Sequence, residues 1–358
     1  MHMESGMEFE KFKTMHFPRD VFVGHGVLEN VALVVNQNLK SGPALILTGN
    51  TTYELAGKEV EEILQNNNIE VVSIKLGKAD KENLARSLSI ANEISAGIII
   101  GVGGGTKIDL AKKTAFDLKV PFVSVPTSPS HDGIASPRAS IRSNKLTVSE
   151  EGSMPVAIIA DTAVLVKAPF RYLAAGAADV ISNLTAILDW KLSARLHGED
   201  FSSSAAAISE YAARELVEKA QLIMPGVEES VWLVTKQILA SGTAMAIAST
   251  SRPASGSEHL IAHALEKYNP GNSIHGEQCA IGSIVSMFLH GGDWRSLVNT
   301  YQKFGLSVKA KDYNIDDMTM IRAVSTAHAI RPERYTILGE RDLSLEAAEK
   351  VLETTGII

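Results

Sequence analysis

Cysteine and long apolar runs are scarce in this 358-residue chain. Cys279 is the only cysteine in the sequence, so no internal disulfide can form, and we expect a reducing, cytoplasmic setting. The longest apolar run covers residues 279–289, contains Ser283 and Ser286, and is far shorter than the roughly 20 residues needed to span a bilayer. The sequence therefore predicts a buried helix at this run and no integral membrane segment.

An excess of positive charge is also absent. Lys and Arg number 34 against 41 Asp and Glu, and the net charge of −7 offers no broad cationic surface to a nucleic-acid backbone. Residues 1–13 alternate charged and polar side chains without the apolar core of a signal peptide, so we expect a loose end there. These absences exclude nucleic acid as a partner and favour chemistry on a small molecule.

Short apolar runs alternate with helical patterns in the first half of the chain. The apolar runs predict strands at residues 44–47, 71–74, 97–101, 122–125 and 156–160. Helical patterns lie between them at residues 53–65, 82–94 and 108–118. This alternation is typical of βαβ units in a parallel sheet, so residues 1–166 are predicted to form a nucleotide-type α/β domain. Residues 137–151 interrupt it and predict a two-stranded excursion that overhangs a cleft.

The second half of the chain has a different pattern. Helical spacing appears at residues 177–196, 203–221, 231–248 and 278–289, and no strand pattern follows residue 166. The 358 residues also exceed the roughly 100–200 typical of one domain. We therefore predict an all-helical second domain at residues 167–358, with the active site in the cleft between the two domains.

A glycine-rich run follows the predicted strand at residues 97–101. Gly103, Gly104 and Gly105 lack a Cβ and open a helix, so a pyrophosphate could approach the backbone and the positive end of the helix dipole. The run therefore indicates dinucleotide binding, although it satisfies neither the Walker A spacing nor the G-x-G-x-x-G spacing. The alternative is a plain structural turn in which Thr106 and Asp109 cap the helix.

A second polar loop follows the predicted strand at residues 122–125. Residues 126–136 supply several hydroxyl groups and the carboxylate of Asp132. Ligands of open α/β sheets bind at the carboxyl ends of strands, so hydroxyls at this position can hydrogen-bond a phosphate or a nicotinamide carboxamide. The alternative is that these residues only form a turn.

One carboxylate and three imidazoles stand out in the helical half: Asp179, His259, His263 and His275. His259 and His263 are four residues apart and share one helix face. Separate structural roles for all four would require each buried polar group to find its own partner. A shared metal is the simpler hypothesis, with an Asp oxygen and two His nitrogens as ligands and an open position for substrate or water. This donor set does not distinguish zinc from ferrous iron.

These runs together resemble the sn-glycerol-1-phosphate dehydrogenase family, within the superfamily of metal-dependent polyol dehydrogenases and dehydroquinate synthases. The resemblance rests on residues 103–109, 126–133, 176–179, 257–259 and 275–277. It implies a Rossmann-like N-terminal domain followed by a helical domain. It also implies that Asp179, His259 and His275 are the ligands of one Zn²⁺ per subunit, with Fe²⁺ not excluded, and that Asp132, Asp179 and His263 form the catalytic and substrate-binding set.

The resemblance also implies which residues hold NAD(H) or NADP(H). They are Gly103, Gly104, Gly105, Thr106, Lys107, Ile108, Asp109, Thr127, Ser128, Pro129, Ser130 and Ser136. Residues 48–52, at the end of the first predicted strand, contain no acidic residue that would repel a 2′-phosphate, so we predict use of both cofactors.

The implied reaction interconverts dihydroxyacetone phosphate and sn-glycerol 1-phosphate, as in the synthesis of archaeal-type membrane glycerophospholipids. We expect the metal to act as a Lewis acid on the ketone, and His263, or a water that it orders, to supply a proton because imidazole titrates near neutral pH. Arg138, Arg142 and Lys145 are candidates for holding the substrate phosphate. A homo-oligomer of unspecified size is also expected.

Three alternatives remain at the level of sequence. A glycerol dehydrogenase would share the fold and the metal, but residues 129–133 and the basic residues nearby resemble the phosphorylated-substrate branch. Dehydroquinate synthase, a lyase, carries a Gly-Gly-Lys-Thr-Gly segment where residues 133–138 stand here. A metal or nucleotide sensor without catalysis would bind cofactor and oxidise no NADH with a ketone.

Overall fold

The first half of the chain is built on a six-stranded parallel sheet. The structure, a computed structural model, describes residues 14–143 and 146–358. The described residues form eight strands: β1 (Asp20–Gly24), β2 (Ala44–Thr48), β3 (Val71–Lys75), β4 (Ile98–Gly103), β5 (Phe122–Pro126), β6 (Arg138–Ser143), β7 (Leu146–Glu151) and β8 (Ala157–Asp161). The parallel sheet has the strand order β1-β8-β5-β4-β2-β3, and β6 and β7 pair separately as an antiparallel hairpin.

Helices cover both faces of the sheet and make up the second half. In the first half they are α1 (Asn30–Asn38), α2 (Asn50–Thr52), continued through a π-helical turn (Tyr53–Gly57) into α3 (Lys58–Asn66), then α4 (Lys81–Glu93), α5 (Gly105–Leu118) and α6 (Thr162–Leu165). In the second half they are α7 (Phe170–Ile181), α8 (Asn183–His197), α9 (Ser203–Glu218), α10 (Glu228–Ala248), α11 (Ser257–Tyr268), α12 (His275–Leu289), α13 (Trp294–Lys303), α14 (Asp317–Thr326) and α15 (Leu345–Thr355).

Alternate residues of each central strand enter two different cores. Ile46 and Ile100 pack with α1 and α3 on one face of the sheet. Leu45 and Ile99 belong to a larger core on the other face, which continues into the second half through residues such as Ile284 of α12. Both faces of a parallel sheet are buried because its crossover helices cover them. The larger core therefore joins the sheet to the helical half of the chain.

The predicted fold class is confirmed, with local differences. All five predicted strands are present within two residues of their predicted bounds, residues 137–151 form the predicted hairpin, and no strand follows β8 in the described residues. β1 was not predicted, because it is a half-buried edge strand whose partner, β8, lies far away in the sequence. The predicted helix at residues 177–196 is two helices, α7 and α8, that meet at Ser182.

The remaining expectations concern the domain boundary, the start of the chain and the longest apolar run. The boundary at residue 166 stays a prediction, and the loose end predicted for residues 1–13 lies outside the described residues. The apolar run at residues 279–289 forms the buried part of α12, as predicted. In the described chain, α10 is long and apolar enough to cross a membrane, but 61% of its most apolar window is buried, which is typical of a core helix.

Candidate active site

The glycine-rich turn lies between β4 and α5 at the carboxyl end of the sheet. β4 ends at Gly103 and α5 begins at Gly105, with Gly104 as an extended N-cap residue and no side chain capping the first turn. Uncapped N–H groups at a helix N-terminus are a favourable binding site for phosphate. The alternative in which Thr106 and Asp109 form a cap is wrong, because the helix begins before Thr106.

Close packing also requires two of these glycines. A Cβ on Gly103 would lie 2.6 Å from Lys107 Cγ, and a Cβ on Gly105 would lie 1.8 Å from His131 Nε2. Lys107 donates a hydrogen bond to the carbonyl of Gly77, in the loop that follows β3. The turn therefore needs glycine for its own packing as well as for the approach of a ligand.

Ile108 and Asp109 lie deeper in α5 than the other predicted cofactor residues. The Ile108 side chain is fully buried in the larger core. The Asp109 carboxylate lies 3.3 Å from the ammonium nitrogen of Lys112, which is also buried. Both side chains are engaged within the protein, so a contact of either residue with the cofactor would come from its backbone.

The loop that follows β5 meets the glycine-rich turn. The Thr127 N–H donates to the Gly103 carbonyl over 3.0 Å, which ties the two strand ends together. Thr127 and Ser128 are buried, and Ser128 Oγ would lie 3.0 Å from a Cβ on Gly104. The predicted cofactor residues of the two loops therefore lie side by side at one sheet edge. Further along, Pro129 and Ser136 are buried and Ser130 is half-buried.

Asp179, His259 and His275 converge, as expected for the ligands of one metal. Asp179 Oδ1 lies 3.5 Å from His259 Nε2 and 3.6 Å from His275 Nε2. Cys279 joins them, with its sulfur 3.7 Å from His259 Nε2 and 3.5 Å from His275 Nε2. The four donor atoms all lie within 4.8 Å of one another. Asp179 Oδ1 is buried and has no hydrogen-bond partner in the described residues. An unpaired buried carboxylate oxygen facing two imidazoles and a thiol fits a divalent cation.

Small residues bring the helices that carry these donors close together. A Cβ on Gly276 of α12 would lie 1.9 Å from the Ala175 carbonyl of α7, so these two helices touch backbone to backbone. Glu277 accepts a hydrogen bond from the Ile274 N–H over 2.9 Å and thereby caps the start of α12 at His275. In this run His275 provides a candidate metal ligand, Gly276 allows the close helix contact and Glu277 caps the helix.

Glu258 orients His259. Its Oε1 lies 3.0 Å from His259 Nδ1, which leaves Nε2 free to face the donor cluster. The other carboxylate oxygen accepts a hydrogen bond from Thr185 over 2.8 Å. A carboxylate behind a histidine ligand fixes the tautomer and the ring orientation.

Asp132 adjoins the donor cluster. Its backbone N–H donates to Asp179 Oδ2 over 3.0 Å, and its side chain accepts from Ser241 of α10 over 2.7 Å. Burial, and then the charge of Asp179, raise the pKa of the Asp132 carboxyl. Lys112 donates to the carbonyls of Gly133 and Arg138 over 2.6 Å each, which holds this loop against α5.

His263 lies beside the cluster, but its ionisation differs from expectation. Its ring centroid is 6.3 Å from that of His259 and 5.8 Å from that of His275. Burial, followed by the charge of His275, lowers the pKa of His263 well below its usual value of 6.5. The expectation that this imidazole titrates near neutral pH is therefore wrong, and His263 is neutral there.

A cavity of about 1140 Å³ adjoins His263. Arg138 lines it, but its guanidinium already donates to Ser149 of β7. Arg142 lies on the same strand and is not part of the cavity wall, and Lys145 lies outside the described residues. Arg331 and Arg334, which were not predicted, line the same cavity.

The cofactor's ribose is expected near the end of β2. The Gly49 N–H donates to Thr52 Oγ1 over 2.8 Å, and a Cβ on Gly49 would lie 2.8 Å from Lys107 Cε. A lysine therefore adjoins this end of the strand, where residues 48–52 carry no carboxylate.

Several residues of this site were not predicted from the sequence, although the positions of some of them in the sequence could have indicated them. Cys279 is four residues after His275, which places both on one face of α12. Glu258 directly precedes a candidate ligand. No sequence pattern indicated Lys112 or Arg331, because Lys112 acts through the carbonyls of Gly133 and Arg138 and Arg331 reaches the cavity beside His263 only through the tertiary fold.

The chain is similar to known proteins over nearly its whole length. Residues 22–169 match the family model described as iron-containing alcohol dehydrogenase. A glycerol-1-phosphate dehydrogenase (NAD(P)+) from Thermoplasma volcanium is 60% identical over 352 residues, which cover 98% of this chain and 100% of the relative. A protein of the same name from Methanosarcina barkeri is 48% identical over 346 residues, or 97% of each chain.

Solved structures show the same fold at lower identity. A probable glycerol dehydrogenase from Sinorhizobium meliloti 1021 superposes with a TM-score of 0.77 at 21% identity, over 96% of this chain and 98% of that one. A glycerol dehydrogenase from Schizosaccharomyces pombe has a TM-score of 0.78 at 21% identity, over 97% and 92% of the two chains. At this identity the likeness concerns the fold alone.

Proposed function

Because this chain belongs to the glycerol-1-phosphate dehydrogenase family, we propose that it catalyses the reversible NAD(P)H-dependent reduction of dihydroxyacetone phosphate to sn-glycerol 1-phosphate. The enzyme is a metal-dependent oxidoreductase, and its product supplies the glycerophosphate backbone of membrane lipids. The observation that carries the proposal is the buried donor cluster of Asp179, His259 and His275 beside the glycine-rich sheet edge.

The chain's own residues provide binding and orientation. When bound, the metal polarises the substrate carbonyl and the nicotinamide supplies hydride. We propose that Asp179, His259 and His275 hold the metal, and that the N–H groups at the start of α5 bind the cofactor pyrophosphate together with the hydroxyls of Thr127, Ser128, Ser130 and Ser136. Of the remaining predicted cofactor residues, Pro129 lies in the second loop, whereas Ile108 and Asp109 lie deeper in α5 and could contact the cofactor only through their backbone.

Asp132 and His263 are proposed to act on the substrate. The Asp132 side chain already accepts a hydrogen bond from Ser241 and can accept another from a substrate hydroxyl. His263 Nδ1 is buried and has no hydrogen-bond partner in the described residues, so it can bind a water or the substrate oxygen. Since His263 is neutral, we propose that it relays a proton from water to the product oxygen.

Zinc is the metal that we propose. A divalent metal follows from the family and the donor cluster, and the nearby thiol of Cys279 is a donor type that zinc commonly accepts. A sulfur donor next to two imidazoles prefers softer cations, whereas magnesium, calcium and manganese prefer oxygen. The Cys279 sulfur lies 3.5 and 3.7 Å from the two imidazole nitrogens, close enough to contact a metal held by the three proposed ligands.

We propose that the enzyme uses both NAD(H) and NADP(H), because of the residues at the end of β2. A 2′-phosphate there would meet no carboxylate from residues 48–52 and would lie near Lys107. Steady-state kinetics should give kcat/KM values for NADH and NADPH within about tenfold of each other. A kcat/KM for NADPH several orders of magnitude below that for NADH would contradict this proposal.

The deciding experiment follows NADH oxidation with dihydroxyacetone phosphate and with dihydroxyacetone. We expect rapid oxidation with the phosphorylated ketone, loss of activity with a chelator, recovery with zinc, and a product of sn-1 configuration in an enantiospecific assay. A preference for unphosphorylated dihydroxyacetone would instead indicate a glycerol dehydrogenase. Absence of oxidation with either ketone would overturn the proposed function.

A further inference from the structure

We propose that Arg331, supported by Arg334, binds the phosphate of the substrate in the cavity beside His263. This inference rests on the proposed function. It names the side chain that would let the enzyme distinguish a phosphorylated ketone from an unphosphorylated one. It assigns to the segment after α14 a role that the sequence did not indicate.

Arg331 lies in the same cavity wall as the proposed proton relay. It follows the 3-10 turn Ala327–Ile330, which packs against α11. His263 and Lys267 of α11 also line the cavity, and their spacing of four residues places them on one face of that helix. A substrate that reaches His263 therefore enters the cavity that these cationic groups line.

The guanidinium of Arg331 is half-buried and unpaired. Within the described residues it makes no hydrogen bond and has no carboxylate within ion-pair distance. Its neighbours are paired: Arg334 donates to the Ser255 carbonyl over 2.6 Å and to Ser251 over 2.9 Å, and Arg252 pairs with Glu199. Five donors of a desolvated guanidinium without partners form a favourable site for an oxyanion.

The charge of the cavity also favours an anion. Of the described residues that line it, five are cationic and two are carboxylates: Arg19, Arg138, Lys267, Arg331 and Arg334 against Glu151 and Glu333. Burial, and then the repulsion of Arg331 and Arg252, lower the pKa of Arg334 to about 9. Burial and the charge of Arg138 lower the pKa of Arg331. A bound phosphate dianion would relieve this repulsion.

Arg331 is a better candidate than Arg138, which is the one of the three sequence-predicted residues that lines the cavity. Arg138 is exposed and spends its guanidinium donors on Ser149 of the neighbouring strand. Lys267 lies over the ring of Tyr268, with its ammonium nitrogen 5.3 Å from the ring centroid. Arg331 has all five guanidinium donors available among the described residues, whereas Arg138 does not, and unlike Lys267 it can bind a phosphate in bidentate fashion.

The test compares Arg331→Gln and Arg331→Lys with the unaltered enzyme. We expect Arg331→Gln to lower kcat/KM for dihydroxyacetone phosphate by about 10–100-fold, mainly through KM, and to leave kcat/KM for dihydroxyacetone unchanged. Arg331→Lys should recover part of the loss, because it restores the charge but not the bidentate geometry. Inorganic phosphate should inhibit the unaltered enzyme competitively and Arg331→Gln much more weakly.

The control is Arg341→Gln, which removes an exposed arginine outside the cavity wall. It should match the unaltered enzyme in KM, in phosphate inhibition and in thermal unfolding. Equal losses of Arg331→Gln on both ketones would show a structural role and overturn the inference. An unaltered enzyme that fails to reduce dihydroxyacetone phosphate but still binds inorganic phosphate through Arg331 would overturn the proposed function and leave the phosphate site standing.

Discussion

His263 shows how burial changes the role of a side chain. The sequence suggests an imidazole that gains and loses a proton near neutral pH, whereas burial and neighbouring imidazoles keep it neutral there. A neutral imidazole with an unpaired, buried Nδ1 can still pass a proton between water and a substrate oxygen.

His263→Ala should lower kcat for ketone reduction by about 100-fold while leaving cofactor affinity unchanged, since the relay is lost and the cofactor loops are untouched. Steady-state kinetics and fluorescence titration of NADH measure both. His25→Ala, which removes an exposed histidine paired with Glu228, is the control. Turnover and a pH profile unchanged in His263→Ala would remove this role.

Cys279 provides a test of whether sulfur is a ligand of the proposed metal. Cys279→Val replaces the thiol with an apolar group of similar size, so the fold should persist while the sulfur donor is lost. The cobalt-substituted enzyme should show a thiolate-to-cobalt charge-transfer band in the near ultraviolet, and Cys279→Val should lack it. Zinc affinity in a chelator competition should fall by about tenfold. A cobalt spectrum unaffected by the substitution would show that the sulfur is not a ligand.

Glu199 holds the segment that carries Arg331 and Arg334. It pairs with Arg252, which in turn donates to the Tyr335 carbonyl over 2.9 Å. Burial by itself would raise the pKa of Glu199, but hydrogen bonds from Arg252 and Ser193 outweigh it and the pKa is lowered. The stabilisation is therefore complete above the unfolded pKa of 4.5 and is lost as pH falls through the lower folded value.

Glu199→Gln should thus lower the free energy of unfolding by about 1 kcal/mol at pH 7, a modest value because the carboxylate is partly exposed. Urea unfolding at several pH values measures it. The difference from the unaltered protein should shrink as the pH is lowered below 4.5. A difference that stays constant with pH would mean that the charge of Glu199 contributes nothing.

The contact between α7 and α12 sets the geometry of the donor cluster. Asp179 lies on α7 and His275 on α12, and Gly276 lets the two backbones touch. The corresponding contact between Gly176 and the Pro129 carbonyl brings α7 against the loop that carries Asp132. The cluster therefore depends on small residues at helix crossings that themselves carry no donor.

Gly276→Ala should cost about 3 kcal/mol of stability and reduce the metal bound per chain, because the new Cβ forces α12 away from the Ala175 carbonyl. Thermal unfolding and metal analysis by mass spectrometry test this. Gly77→Ala is the control, since a Cβ there makes only ordinary contacts at 3.4 Å or more. Full metal content in Gly276→Ala would show that the crossing tolerates the extra carbon.

The metal should also stabilise the folded chain as a whole. Its proposed ligands come from α7, α11 and α12, which all pack in the larger core. Binding only to the folded state adds about 2.7 kcal/mol when free metal exceeds Kd 100-fold. Chelation should therefore lower Tm in scanning calorimetry, and zinc should restore it.

Asp179→Asn provides the comparison for that experiment. The substitution keeps the size of the side chain but weakens the metal site, so Tm should no longer respond to chelator or zinc. A Tm shift that persists in Asp179→Asn would place the stabilising metal elsewhere.

A homo-oligomeric state and a cytoplasmic location stay predictions.

The sequence by itself determined the α/β class, the positions of the five predicted strands along the chain and the two polar loops that follow the strands at residues 97–101 and 122–125. Local periodicity reports strands and helices, and the carboxyl ends of parallel strands necessarily meet at one edge. The tertiary structure decided that Cys279 joins Asp179, His259 and His275, that Arg331 is unpaired while Arg138 is not, and that His263 is neutral. Each of these depends on packing and burial between residues far apart in the chain, which no local pattern encodes.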